Sequence, residues 1–126
     1  MQIKQLDHLV LTVKNIAATI SFYESVLGMT SEIFGNGRVA LKFGSQKINL
    51  HEFRNEFEPK SLLPTPGSAD LCFITTTALN DAMDHVQGCG VEIIAGPVQR
   101  TGASSPLLSF YFRDPDGNLI EVANEI

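Results

Sequence analysis

The chain has 126 residues, a formal net charge of −5, 44% hydrophobic and 18% charged residues. That is the make-up of a soluble globular domain, with no Lys/Arg run to favour nucleic acid or an anionic membrane as partner. No stretch approaches the ~18 apolar residues of a membrane span, and the start lacks an apolar segment with a small-residue cleavage site, so a cytoplasmic location is expected.

Residues 3–13 alternate and then run apolar (Ile3, Leu6, Leu9, Val10, Leu11, Val13), as in a strand covered on both faces. Asn15 offers an N-cap, and Ile16, Ile20, Tyr23 and Leu27 form the stripe of a helix that Gly28 ends. "MTSEIFGNGRVALKFG" reads as a hairpin with Asn36-Gly37 as a two-residue turn, and "KINLHEF" as a further strand. Residues 54–68, with Pro59, Pro64, Pro66 and Gly67, read as a linker. Next come a strand "ADLCFITT", a helix "ALNDAMDHVQGCG" with Leu79, Ala82, Val86 and Cys89 on one face, and a short strand "VEIIA". Residues 96–106 read as a long mobile loop, and "LLSFYFR" and "NLIEVA" as two strands joined by Asp114–Gly117. Cys72 and Cys89, both in apolar contexts, are expected as buried reduced thiols.

The order repeats. His8 and Asp70, Tyr23 and His85, and Gly28 and Gly90 are each separated by 62 residues, and "HLVLTV" matches "DLCFIT". Each half reads β-α-β-β-β. The expected fold is α+β: two βαβββ modules, 3–53 and 69–124, forming a curved mixed sheet with helices outside and a metal-binding cleft inside. Each module is too small to bury a sufficient core alone.

Alternation assigns the faces. His8 lies with Leu6, Val10 and Thr12, while Leu9, Leu11 and Val13 face the helix. Asp70 takes the same place in the second half. Glu121 lies with Leu119 and Ala123, opposite Ile120 and Val122. A lone carboxylate among apolar residues needs a partner. A curled sheet would bring His8, Asp70, Glu121 and either Asn49 or His51 together. Two imidazoles and two carboxylates are a ligand set for Zn, Ni, Mn or Fe(II). Strict repeat alignment puts Asn49 at the level of Glu121, and His51 two residues further, ~7 Å along the strand.

"LDHLVLTVKNIAATISFYESVLGM" and "FYFRDPDGNLIEV", in this order and spacing, resemble the vicinal oxygen chelate superfamily over roughly residues 4 to 124. That group includes glyoxalase I, bleomycin-resistance proteins, fosfomycin-resistance enzymes and ring-cleaving dioxygenases. "KINLHEF" and "PTPGSADLCFI" are similar to the small glyoxalase-domain proteins. The resemblance implies paired βαβββ modules, a divalent metal, a small-molecule substrate and a homodimer. Its first metal ligand matches His8 and its last Glu121. Asp70 stands where the family commonly has His, and Asn49, with His51 nearby, where it commonly has Glu or His. The expected activity is a glyoxalase-type isomerase or lyase acting on a small oxygenated metabolite such as a 2-oxoaldehyde thiol adduct. In it, His8, His51, Asp70 and Glu121 hold the metal, and Glu121 or Asp70 moves the proton. An Fe(II) ring-cleaving dioxygenase would use His8, His51 and Glu121. A drug-sequestering protein of the bleomycin-resistance type generally lacks the ligand set, so His8 and Glu121 argue against it. Arg38 and Arg100 are either solvated or meet negative groups of a glutathione-type substrate. The loop 96–106 is a candidate lid.

Overall fold

The computed structural model describes all 126 residues, in two compact units, Met1–Pro66 and Gly67–Ile126. Both build the same α+β pattern. Unit 1 runs β1 (His8–Val13), α1 (Ile16–Leu27), β2 (Thr30–Phe34), β3 (Arg38–Phe43) and β4 (Gln46–Glu52), with strand order β1-β4-β3-β2. Unit 2 runs β5 (Asp70–Ile74), α2 (Leu79–Gly88), β6 (Ala95–Thr101), β7 (Pro106–Arg113) and β8 (Leu119–Glu125), with order β5-β8-β7-β6. Each is a βαβββ module with one parallel rung pair and two antiparallel ones. The ladder hydrogen bonds form two four-stranded sheets, one in each unit.

In unit 1 the local signals act where their chemistry requires. Asn15 Oδ1 accepts from the Ala18 N–H at 2.8 Å and starts α1. Gly28 takes φ 67, so its N–H reaches Glu24 O and the Met29 N–H reaches Tyr23 O, each at 3.1 Å. The helix packs on β2 and β4, burying Thr19, Tyr23 and Val26 against a sheet face that holds Leu11, Val13, Ile48 and Leu50. The expected stripe is therefore shifted: Ile16, Ile20 and Leu27 are half-buried. Strand β1 begins at His8 rather than residue 3, because the ladder with β4 opens at His8↔Lys47. Before that rung only the Gln46 side chain holds the chain, donating to Leu6 O at 3.0 Å. The hairpin loop has three residues, not two: Phe34 pairs with Arg38, and Gly35 and Gly37 supply the positive φ.

Unit 2 corrects the reading of residues 91–106. No strand forms at 91–94, and most of the expected mobile loop is the strand β6. Gly96-Pro97 looks like a chain breaker but forms a bulge, where the register with β7 shifts between Ala95 and Val98. A Cβ on Gly96, which has φ 110, would stand 2.6 Å from Phe110 Cα, so glycine lets β6 lie directly on β7. Only residues 102–105 connect β6 to β7, closed by a Gly102 N–H to Ser105 O bond of 2.9 Å. The helix α2 packs on β7, and the core of this unit is Phe110, Phe112, Ile120 and Val122 with Leu79 and Val86. Both cysteines are free, as expected, but exposed rather than buried. Cys89 falls at the C-cap of α2, past its buried face, and Cys72 lies on the sheet face opposite the core.

Candidate functional site

The turn that launches β8 is a buried polar knot. Asp114 and Asn118 are 5% and 1% exposed. Asp114 Oδ1 accepts from the backbone N–H groups of Asp116 and Asn118, both at 2.9 Å, and its Oδ2 accepts from Asn118 Nδ2 at 2.8 Å. Asn118 Oδ1 in turn accepts from the Ala69 N–H at 2.8 Å, tying the start of β5 to the start of β8. This knot sets the register Asp70↔Leu119 and Cys72↔Glu121. The Asp114–Gly117 motif marks the turn in the sequence, but not the tether from Asn118 to Ala69. The clue was an Asp and an Asn four residues apart, each able to cap backbone groups.

Glu121 occupies the central rung, between Cys72 of β5 and Tyr111 of β7. Its Oε1 is buried and has no hydrogen-bond partner. The face borders a cleft of about 380 Å³ lined by Cys72, Ile74, Arg100, Glu121, Glu125 and the loop after β6. Arg100 is held there by Nε donation to Tyr111 Oη at 2.9 Å. Alternation sends Phe110 into the core and leaves Tyr111 half-buried on the Glu121 face. Burial of the thiol, and after it the Glu121 and Asp70 carboxylates, push Cys72 up to about 11 from 9.0. Cys72 as a residue is exposed, so the neighbouring carboxylates are the firmer part of that effect. The neutral thiol is the favoured form, and the thiolate forms only as pH rises toward 11. At pH 8.5, iodoacetamide should therefore alkylate Cys72 about 100-fold more slowly than a thiol of unperturbed acidity. Glu121→Gln should speed that reaction, read by mass spectrometry of the labelled peptide. An unchanged rate would separate the thiol from Glu121.

Unit 1 presents the matching face. Asn49 pairs with Val10 as Glu121 pairs with Cys72, so the register gives Asn49 the place equivalent to Glu121. Its Oδ1 is likewise buried with no partner. His8 Nδ1 bonds Asp7 Oδ2 at 2.8 Å, which orients the ring and leaves Nε2 for another partner. His51, 7% exposed, lies opposite Thr12, four residues beyond the His8 rung and so roughly 13 Å along the strand. Its ring packs edge-on against Phe57 at 5.8 Å between centroids. Its pKa is lowered from 6.5, by burial first and then by Arg38 and Lys60, with Glu56 opposing. A cleft of about 190 Å³ is lined by His8, Phe34, Arg38, Asn49, His51 and Pro59.

Neither unit alone gathers three or more His, Cys, Asp or Glu side chains into a group that could hold a metal ion. Tested residue by residue, Glu121 fits such an ion, having an unpaired buried oxygen. His8 fits through its carboxylate-oriented ring. Asp70, at the exposed first position of β5, is two residues from Cys72 on the Glu121 face. His51 fits poorly, beside the cations Arg38 and Lys60 and far along the strand from His8.

Residues 5–122 match the Glyoxalase/Bleomycin resistance protein/Dioxygenase superfamily. The chain belongs to that superfamily. The virulence protein STM3117 of Salmonella typhimurium is 56% identical over 126 residues, all of this chain and 88% of that protein. Its crystal structure matches with a TM-score of 0.98 over 100% of both chains. An integron cassette protein from the mobile metagenome of V. cholerae is 64% identical, with a TM-score of 0.97 over 98% of this chain and 97% of that one. The glyoxalase domain-containing protein RDO1 of Mycosarcoma maydis is 53% identical over 98% of this chain and 70% of that protein. These names do not specify a reaction.

Proposed function

We propose that the chain is a divalent-metal-dependent enzyme of the glyoxalase type, an isomerase or lyase acting on a small oxygenated metabolite such as a 2-oxoaldehyde thiol adduct. The observation that carries the reading is Glu121, a carboxylate with a buried, unpartnered oxygen, for which a bound cation is a natural partner. His8, Asp70 and Glu121 would hold the ion, leaving positions open to water and substrate, with a homodimer as the assembly the resemblance implies. The ion would supply electrostatic stabilisation of negative charge on substrate oxygens. Glu121 and Asp70 are the candidate bases for moving a proton at carbon. Glu121 is the better placed, since its buried oxygen is screened from water. His51 is assigned to the substrate side, as a neutral imidazole next to Arg38.

Elemental analysis of protein purified without chelator tests the reading, together with turnover of the methylglyoxal–thiol adduct. Nickel or zinc at one ion per chain, with turnover, is the expected result. Iron with oxygen uptake on a catechol would favour the dioxygenase. His8→Ala should reduce bound metal at least about 10-fold while circular dichroism stays unchanged. Unchanged metal content would remove His8 from the set.

A further inference from the structure

Two groups in the small cleft of unit 1 offer complementary chemistry, a cation and a buried acceptor without a donor. The Arg38 guanidinium, half-buried on β3, lines the cleft and stacks on the Phe57 ring at 4.6 Å. The Asn49 Oδ1, buried on β4, has no donor. Two further charged groups act on His51 at this cleft, Glu56 and Lys60. The Glu56 side chain is only 3% exposed; its Oε1 pairs with Lys60 Nζ at 3.5 Å, while its Oε2 is buried without a partner. Arg38 and Asn49 are satisfied together by one molecule carrying a carboxylate and a hydroxyl. A guanidinium fork matches a carboxylate in two-point geometry. An amide oxygen needs an O–H or N–H. The cleft, about 190 Å³, is below the ~300–1,000 Å³ of sites for drug-sized ligands, so the molecule is small.

We infer that the cleft bounded by Arg38, Asn49 and His51 binds a small 2-hydroxycarboxylate, its carboxylate on Arg38 and its hydroxyl donating to Asn49 Oδ1. His51 adds a dry wall and a neutral ring nitrogen. The inference names a ligand class for the proposed enzyme and shares His8 with it, but it needs no metal. It is therefore tested on the full chain treated with chelator, where failure of the metal reading leaves it standing.

The experiment is a titration of 15N-labelled, metal-free protein with glycolate and with acetate, followed by amide and Arg Nε–H shifts. Glycolate is expected to bind roughly 10-fold more tightly than acetate, the difference one satisfied buried acceptor makes. Arg38→Ala should weaken both acids by roughly 10-fold or more. Asn49→Leu, similar in branching but without the acceptor, should bring the two acids to equal affinity. Arg38→Gln keeps an aliphatic stem on Phe57 and is read instead if Arg38→Ala unfolds. Equal binding of the two acids by the wild type, an unaltered Arg38→Gln or Arg38→Ala, or no shift with either acid would each overturn the assignment.

Discussion

Replacing Glu121 by glutamine is expected to move two measurements in opposite directions. Bound metal and turnover should fall by at least about 100-fold, because a directly coordinating carboxylate matters more than the outer partners whose loss costs ~10–100-fold. The melting temperature of the metal-free protein should hold or rise. The substitution keeps the shape of the side chain and removes a charge from an oxygen that is buried and unpartnered. A merely structural Glu121 would behave otherwise, since breaking a needed hydrogen bond lowers stability. Calorimetry and elemental analysis on one preparation separate the two cases. A drop in melting temperature with metal content intact would end the metal reading.

Asp114→Ala should be the most damaging single change to unit 2 away from its apolar core. It removes the acceptor of two backbone N–H groups and of the Asn118 amide, buried at Asn118 and part-buried at Asp116. Those donors are left unmet at a cost of about 2–4 kcal/mol. A melting temperature lower by about 10 °C is expected. Asn118→Ala should lose a similar amount, and the double variant little more, because both changes break one network. Hydrogen exchange at the Ala69 and Leu119 amides gives the local readout. Full additivity of the two losses would mean that the residues act independently.

The repeat made most of the fold legible. A spacing of 62 residues between His8 and Asp70 locates equivalent rungs, and the ladders agree, with His8↔Lys47 matching Asp70↔Leu119. Asn15 and Gly28 mark the ends of α1 because capping chemistry is local. The strand β6 was illegible for the opposite reason. Gly96 and Pro97 are breakers by composition, and only the approach of Phe110 from β7 makes that glycine a requirement of the sheet. At the site, alternation correctly assigned Glu121 and Asn49 to the face away from the core. It could not reveal that both oxygens lack partners, since that depends on every neighbour. Nor could it show Cys72 exposed beside Glu121, as a thiol in an apolar run reads as core.

The equivalence of Asn49 and Glu121 bears on why such a module exists in tandem. Two separate copies of one module related by a twofold axis must carry the same residue at both places. A fused pair is free of that constraint. Here one place holds a neutral amide and the other an acid, on equivalent rungs of two separate ladders. The linkage thus permits the two equivalent places to differ in charge, which identical copies related by a twofold axis could not do.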